Sequence, residues 1–319
     1  MTPRSRLLPA VALAAFAVLA SAVVVSTPAR GAAVASPRSA RAAVASVRVV
    51  VVGDIACDPA SPEYNGGRGT KTLCKQRAVG RLAARLHPRY VITTGDNQYE
   101  DGHLSAYRTS YDSAFGALRS RTWPVPGNHE YRTPHAQGYL RYFGRRAGTV
   151  GHTWRARRPL AGWRVLLLDS DCWAIGGCGP GSPQHRWLVR QLRTSPSCTV
   201  AVWHHPFLTG GEYRGDADTH ALATPLWTTA REGGVDLVLN GHDHNYQRFA
   251  PRQGMRELVV GTGGRSHYPV TTARGLQRSI DRTFGVLLLT LRADSSYRWS
   301  FHALGGRVLD SGTSTCANG

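Results

Sequence analysis

Residues 47–54 have the sequence VRVVVVGD, in which a run of β-branched side chains ends at Gly53-Asp54. A continuous apolar run of this length is typical of a buried β-strand. A second run, Tyr90-Val91-Ile92-Thr93, ends in the same dipeptide at Gly95-Asp96. Because ligands bind at the carboxyl edge of the strands in α/β sheets, we expect both carboxylates to lie at one functional edge.

Helical and extended patterns alternate along the rest of the chain, which predicts α/β layers. We predict helices over 74–86, near 104–119, over 183–193 and near 219–231, and strands into Pro124–Pro126, over 163–168, 199–203 and 235–239, and near 257–260, 284–291 and 297–302. No linker-like break divides residues 47–316, so we expect one catalytic domain over 47–319.

Composition limits the class of protein and its partners. The chain has 319 residues, 42% of them hydrophobic, which is enough for a full core and excludes a disordered or fibrous protein. Lys and Arg total 39 against 20 Asp and Glu, which gives a formal charge of +19, nearly all of it from arginine. This excess either serves anionic partners, such as phosphate esters, nucleic acid or an acidic cell envelope, or reflects coding bias.

Residues 1–35 are predicted to form a secretory signal peptide. Arg4 and Arg6 precede an uncharged apolar run from Leu7 to Val25, and small residues suited to cleavage follow. The alternative is an uncleaved membrane anchor, since such a run can just span a bilayer. Residues 36–46 are predicted to be a flexible linker. We therefore expect a secreted or extracytoplasmic protein with no stable membrane association after cleavage.

The cysteines agree with export. An even number, six, favours disulfides in an exported chain, although six cysteines allow 15 pairings. Proximity along the chain suggests Cys57–Cys74 and Cys172–Cys178, which leaves Cys198 with Cys316. A zinc cluster is disfavoured because no pair has the C-x2-C spacing.

Residues able to bind a metal follow four of the predicted strands. They are Asp54, Asp96, His204 and the pair His242/His244. One carboxylate in such a turn is usually only a helix cap, but four strands delivering these residues to one edge indicate a metal site.

Shorter motifs add further donors. Gly95-Asp96-Asn97-Gln98-Tyr99 places a phenol three residues after a carboxylate, and Gly127-Asn128-His129-Glu130 offers an amide oxygen and an imidazole on one turn. Gly241-His242-Asp243-His244 carries two imidazoles that could reach two neighbouring metals. The glycines before these donors permit sharp turns and close approach of the backbone.

The order GD, GDxxY, GNHE, H and GHxH over about 47–303 resembles the signature of the calcineurin-like metallophosphoesterases. Most of that superfamily has a histidine at the position of Ala56. The presence of Tyr99 instead resembles the purple acid phosphatases, in which a tyrosine replaces that histidine as an iron ligand. The chain is similar to their single-domain members, which usually have glycine where Ala56 stands. The resemblance implies a four-layer α/β/β/α sandwich.

The resemblance also implies two metal ions bridged by Asp96. One would bind Asp54, Tyr99 and His244, and the other Asn128, His204 and His242. The hard anionic donors suit Fe3+, and the imidazoles and amide suit Zn2+, Mn2+ or Fe2+, with di-Mn or di-Zn as alternatives. The implied reaction is the hydrolysis of small-molecule phosphate monoesters by a metal-bound hydroxide, as in acid phosphatases.

Several side chains near these motifs receive further roles. His129 is expected to bind a phosphoryl oxygen or to protonate the leaving alkoxide. His205 is expected to orient His204 through a hydrogen bond, with substrate contact as the alternative. Tyr246 and Arg248 are candidates for the rim of the pocket.

Other functions remain open or are disfavoured. The same ligands would serve a Mn- or Zn-dependent phosphodiesterase or an alkaline-range phosphatase, and a catalytically silent anion-binding protein could keep the scaffold. No specific nucleic-acid partner is expected, because the aromatic residues lie mainly inside predicted strands and helices. No G-x-S-x-G motif of a serine hydrolase is present. The oligomeric state is not determined by the sequence.

Overall fold

The run VRVVVV forms a strand inside the first of two β-sheets. The computed structural model describes residues 45–160, 162–194 and 198–317, so the predicted signal peptide and most of the predicted linker lie outside the described residues. The first strand begins at Ser46, one residue before the predicted start of the domain. No helix in the described part of the chain is long and apolar enough to cross a bilayer.

The strands are numbered in chain order. They are β1 (Ser46–Val52), β2 (Tyr90–Thr94), β3 (Thr122–Val125), β4 (Arg155–Arg157), β5 (Trp163–Leu167), β6 (Cys198–Val202), β7 (Leu237–Asn240), β8 (Tyr246–Phe249), β9 (Arg256–Val260), β10 (Leu276–Ile280), β11 (Gly285–Arg292), β12 (Ser296–Ala303) and β13 (Val308–Thr315). One sheet has the order β13-β12-β11-β1-β2-β3, and the other has the order β10-β8-β9-β7-β6-β5-β4.

Each sheet has a parallel centre with antiparallel strands beside it. β1, β2 and β3 are parallel to one another, as are β5, β6, β7 and β9. Parallel strands point their carboxyl ends to one edge, so the turns after these strands gather there.

The helices cover the two outer faces of the sheets. They are α1 (Gln76–Arg85), α2 (Leu104–Ala106), α3 (Asp112–Phe115), α4 (Gln137–Phe143), α5 (Pro183–Arg193) and α6 (Ala217–Glu232). α1, α3 and α4 pack on the first sheet, and α5 and α6 pack on the second. The fold is therefore the expected four-layer α/β/β/α sandwich.

Alternation along β1 shows why this strand lies in the interior. Val47, Val49 and Val51 pack between the two sheets, while Val50 and Val52 pack beneath the helices of the first sheet. Successive side chains of a strand point to opposite faces, so an unbroken valine run requires apolar contacts on both faces.

The predicted helix near 104–119 is interrupted. A π-helical turn, Tyr107–Tyr111, joins α2 to α3, and a 3-10 helix over Gly116–Arg121 follows. The turn buries Tyr107, whose hydroxyl donates to Glu130 Oε1 at 2.8 Å. Such π turns are rare and often occur close to functional sites.

All three disulfides predicted from the sequence are present. They join Cys57 to Cys74, Cys172 to Cys178 and Cys198 to Cys316. The last pair ties the start of β6 to the residue directly after β13, so it connects the two sheets. The first pair closes the loop that precedes α1.

Candidate metal centre

Turns at the carboxyl ends of the parallel strands bring the predicted donors together. Asp54 follows β1, Asp96 follows β2 and Asn128 follows β3, all in the first sheet. His204 follows β6, and His242 follows β7, in the second sheet. All of these except Asn128 are buried, and Asn128 is partly buried.

One group of donors surrounds the hydroxyl of Tyr99. This oxygen lies 3.0 Å from Asp54 Oδ1, 2.9 Å from Asp96 Oδ2 and 2.9 Å from His244 Nε2. His244 Nε2 is also 3.4 Å from Asp54 Oδ1. The four side chains that sequence analysis associated with one metal ion therefore converge.

A second group surrounds Nε2 of His204. This nitrogen lies 3.2 Å from Asn128 Oδ1, 3.2 Å from His242 Nδ1 and 3.4 Å from Asp96 Oδ1. Asp96 thus directs one carboxylate oxygen to each group. If cations were bound at both groups, Asp96 would be able to offer one oxygen to each of them.

Each imidazole has its second nitrogen held by a neighbouring group. The partners are the Thr94 carbonyl for His204 Nδ1 at 2.8 Å, Thr219 Oγ1 for His242 Nε2 at 3.3 Å and Ser266 Oγ for His244 Nδ1 at 2.5 Å. Hydrogen bonds of this kind fix the ring orientation of metal-binding histidines. They leave the other nitrogen of each ring facing the donor groups.

Burial places these groups in strong electrostatic contact. Burial by itself would raise the pKa of Asp96 and lower that of His204. The interaction between the two side chains outweighs burial, so His204 holds the pKa of Asp96 well below its usual range and Asp96 raises the pKa of His204 to about 10. Burial, together with Asp54 and Asp96, raises the pKa of Tyr99. A buried phenol beside two carboxylates keeps its proton unless a cation takes the place of that proton, so the donor set fits metal ions.

Three of the donors have unusual backbone conformations. Asp54, Asp96 and His242 have φ angles of 59°, 47° and 69°, in the left-handed region that non-glycine residues seldom adopt. Such strain clusters at active sites and ligand clamps, where the surrounding structure enforces it. The adjacent Gly241 allows close approach, because a Cβ atom there would meet Asp54 Oδ2 at 2.6 Å.

His129 lies beside both groups without joining either. Its Nδ1 is 2.6 Å from the Glu100 carbonyl, and its Nε2 is 3.8 Å from Asp96 Oδ2. The Glu100 carbonyl can only accept, so Nδ1 carries the proton when the ring is neutral. The His129 side chain as a whole is 14% exposed to solvent.

Glu130 connects the motifs that supply the donors. Its Oε1 accepts from the backbone N–H groups of Asn97 and Gln98, and its Oε2 accepts from that of Gly127. Burial and the neighbouring Asp96 raise its pKa to about 8. Glu130 thus fixes the turns after β2 and β3 relative to each other.

The expected role of His205 needs correction. The Thr94 carbonyl orients His204, while Nδ1 of His205 lies 2.8 Å from Ser170 Oγ. The ring of His205 packs 4.5 Å from that of His242, and burial holds its pKa well below the usual range. His205 therefore supports the second donor group as a neutral side chain.

Tyr246 and Arg248 are also placed differently from the expectation. Both contact Asp310 on β13 and take part in packing between the sheets. Tyr246 is fully buried and donates to Asp310 Oδ2 at 2.7 Å, and Arg248 donates to the same carboxylate at 2.8 and 3.1 Å. These two side chains are two positions apart on β8 and share one face of it, and their partner comes from a strand that sequence analysis did not predict.

We predict that Asp310→Asn lowers the free energy of unfolding at pH 7 by about 1–3 kcal/mol, because a hydrogen-bonded ion pair is lost. Burial opposes the shift, but hydrogen bonds from Arg248 and Tyr246 lower the pKa of Asp310. A carboxyl group whose pKa is lower in the folded state stabilises the fold at pH values above its unfolded-state pKa. This stabilisation is lost as the pH falls through the folded-state pKa. The difference from wild type should therefore narrow below about pH 4.

Urea unfolding at pH 7, 4 and 2.5 measures this difference. The control is Asp218→Asn, an exposed carboxylate in the first turn of α6, which should show little change. A difference for Asp310→Asn that is as large at pH 2.5 as at pH 7 would contradict the ion-pair explanation.

Two tyrosines beside the donors were missed by sequence analysis. The ring of Tyr213 stacks on His242 at 3.7 Å, and that of Tyr268 stacks on His244 at 4.1 Å. Asp243 holds the loop that carries Tyr213, because it accepts from the Glu212 N–H at 2.8 Å. Neither tyrosine belongs to a short motif, so only the position of Tyr213 in the loop before α6 could have indicated it.

This sandwich, with two donor groups at the carboxyl ends of its strands, defines the class of metallophosphoesterases. A family model described as calcineurin-like phosphoesterase matches residues 47–246, which is more than half of the chain. The chain therefore belongs to the calcineurin-like phosphoesterase family.

Individual relatives include purple acid phosphatases. Purple acid phosphatase 17 of Arabidopsis thaliana is 24% identical over 213 residues, 59% of this chain and 62% of the relative. Tartrate-resistant acid phosphatase type 5 of Oryctolagus cuniculus is 24% identical over 256 residues, 70% of this chain and 75% of the relative. The chain thus spans about six tenths of the length of the Arabidopsis protein.

A solved structure of a purple acid phosphatase from yellow lupin (Lupinus luteus) seeds has the same fold. It superimposes with a TM-score of 0.68 at 18% sequence identity, and the match covers 85% of this chain and 54% of the lupin chain. At this identity the comparison supports the architecture alone.

Proposed function

We propose that this protein is an exported phosphoesterase that uses two metal ions to hydrolyse phosphate monoesters, in the manner of a purple acid phosphatase. The observation that carries the proposal is the position of Asp96. Its Oδ2 lies 2.9 Å from the Tyr99 hydroxyl, and its Oδ1 lies 3.4 Å from His204 Nε2. One carboxylate therefore faces two separate donor groups.

The two groups differ in chemistry. Asp54, Tyr99 and His244 would hold a trivalent ion such as Fe3+, because carboxylate and phenolate are hard anionic donors. Asn128, His204 and His242 would hold a divalent ion, Zn2+, Mn2+ or Fe2+. When bound, such a pair acidifies water and neutralises charge on a phosphoryl group.

Residues of this chain supply the remaining steps. Nε2 of His129 is placed to donate a hydrogen bond to a phosphoryl oxygen, or a proton to the departing alkoxide, when the ring is protonated. The Glu100 carbonyl fixes that ring at 2.6 Å. The stacked rings of Tyr213 and Tyr268 each cover one face of a histidine, His242 and His244 respectively.

Export is part of the same proposal. The three disulfides favour an oxidising compartment, because such bonds are rare in the cytosol. The predicted signal peptide over 1–35 would provide the route, and the domain over 47–319 would act as the mature enzyme.

The test is a visible absorption spectrum of the purified protein beside that of Tyr99→Phe. A phenolate bound to Fe3+ gives a charge-transfer band, so we expect colour in the wild type and none in the variant. Tyr268→Phe is the matched control, because its phenol packs on His244 and lies outside both donor groups. This control should keep the band.

Other outcomes separate the alternatives. A colourless wild type that still hydrolyses phosphate esters would indicate a Mn or Zn pair instead of iron. It would also make the phosphodiesterase hypothesis a candidate again. Loaded protein that hydrolyses no phosphate ester at any pH would instead favour a silent anion-binding protein. A band that survives in Tyr99→Phe would contradict the assignment of Tyr99.

A further inference from the structure

The outer face of the first sheet carries basic and hydroxyl side chains on β1, β11, β12 and β13. Strand register places Thr290 opposite both Arg48 and Arg298. The two arginines are therefore two strand spacings apart, or about 10 Å. Ser300 and Ser311 form a second cross-strand pair on the same face. Both arginines are exposed, so this face presents positive charge to solvent.

Two adjoining cavities extend along this face. One, of about 560 Å³, is lined by residues of all four strands, including Arg48 and Arg298. The other, of about 550 Å³, shares Ser46 and Arg48 with the first and is also lined by Arg89 and Arg121. The N–H group of Arg89 donates to the Arg48 carbonyl at 2.9 Å, which connects the two linings. Together the cavities form one elongated basic groove.

No carboxylate in the described part of the chain offsets the charge of the basic groove. Neither cavity lining contains Asp or Glu, and the four strands carry only Asp310, which pairs with Arg248 between the sheets. Burial and the neighbouring Arg48 lower the pKa of His302 in the same lining, as expected beside a positive charge. Among the described residues, the arginines in ion pairs with a carboxylate are Arg132, Arg231, Arg248 and Arg265.

The basic groove lies at the opposite end of β1 from the candidate metal centre. Ser46 begins β1, and Asp54 comes shortly after its last residue, so the extended chain between them spans about 26 Å. Arg89 and Arg121 directly precede β2 and β3, at the amino ends of the same parallel strands. A ligand in the groove therefore leaves both donor groups open.

The chemistry of the groove fits a chain of phosphate groups. A guanidinium binds phosphoryl oxygens with two parallel hydrogen bonds, and hydroxyl groups donate to the same kind of oxygen. An unbranched phosphate chain carries a charge on every unit, so it can contact several of these arginines at once. A single phosphate ion could contact only one or two of them.

The aromatic residues argue against nucleic acid in the groove. On β12, Trp299 and Phe301 point into the core between the sheets. Tyr90 lines the second cavity, but its ring is already stacked on Trp123 at 4.0 Å. Proteins that bind single-stranded nucleic acid stack its bases on aromatic side chains. An anionic chain without bases is therefore the better match.

We infer that the basic groove is a docking site for linear inorganic polyphosphate. The inference does not depend on the proposed function, because the groove shares no residue with the two donor groups. Each arginine that neutralises a phosphate releases a counterion, so the affinity should fall steeply as the salt concentration rises. The docked chain is held at the amino ends of the strands, away from the metal centre.

The experiment measures the binding of end-labelled, long-chain polyphosphate by fluorescence anisotropy between about 50 and 200 mM salt. The test variant combines Arg48→Gln, Arg89→Gln and Arg298→Gln. We expect its Kd to be about 10- to 100-fold higher than that of the wild type at the lower salt concentration. The slope of log K against log salt should become shallower by about 2, because three phosphate contacts are lost.

A matched control removes three exposed arginines of α5, through Arg186→Gln, Arg190→Gln and Arg193→Gln. Its net charge equals that of the test variant, but its affinity should stay close to that of the wild type. His204→Ala alters the candidate metal centre and should also keep polyphosphate binding. Circular dichroism checks the folding of each variant. If the triple groove variant does not fold, Arg298→Gln alone should still make the slope shallower by about 0.7.

Three results would overturn the inference. Equal weakening in the two triple variants would mean that overall charge, and not the groove, attracts the polymer. Loss of binding in His204→Ala would place the polymer at the metal centre. Single-stranded DNA of equal total charge that binds the groove as tightly as polyphosphate would identify nucleic acid as the partner.

Discussion

Replacing His204 by alanine is expected to reduce kcat for phosphate ester hydrolysis by about a thousandfold or more. Loss of a residue that only supports a metal ligand typically costs about 10- to 100-fold, and loss of the ligand itself should cost more. His204 Nε2 is the point at which Asn128, His242 and Asp96 meet, within 3.2 to 3.4 Å. Its removal leaves the second donor group without its central nitrogen.

The measurement combines kinetics with metal analysis. Steady-state rates and the number of bound metal ions are determined for the wild type, His204→Ala and Asn128→Ala. We expect both variants to lose activity and to retain fewer metal ions. His185→Ala, on helix α5 and outside both donor groups, is the control and should behave as the wild type. Appreciable turnover in both site variants would contradict the assignment of the second group.

The second large effect concerns stability. Removing the Cys198–Cys316 disulfide by alanine substitution at both positions should lower the free energy of unfolding by about 5 kcal/mol in the chain-entropy model. The bridge joins residues 118 positions apart, so it restricts the unfolded chain strongly. The Cys172–Cys178 bridge spans only 6 positions, and its removal should cost about 2 kcal/mol.

Urea unfolding of the two double-alanine variants compares these losses directly. The short bridge serves as the matched control, because both variants replace two cysteines by the same residue. Equal losses would mean that local packing, and not restriction of the unfolded chain, dominates the effect.

Much of the fold could be predicted from local sequence because its central elements are strongly patterned. The valine run of β1 and the helix over Pro183–Arg193 were located within a residue. The strands β4, β8, β10 and β13 were missed, because polar side chains interrupt their apolar pattern. β13 is partly or fully exposed along its length, so its sequence shows no run of apolar residues. Only its pairing with β12 identifies it as a strand.

In the candidate site, too, local sequence identified some residues and missed others. Sequence motifs identified the donors Asp54, Asp96 and His204 because each follows a strand in a short turn. They could not show that Arg248 pairs with Asp310, 62 positions away, or that Tyr213 stacks on His242. Such pairings depend on strand order and register, which arise from contacts between distant parts of the chain.

The sequence by itself therefore determined the strand runs, the turns that follow them and the residue types able to bind metals, because these depend on near neighbours. Only the tertiary structure showed that the Thr94 carbonyl orients His204, that Tyr213 stacks on His242 and that Arg248 pairs with Asp310. The physical reason is that two sheets must pack face to face before their strand ends can share one edge.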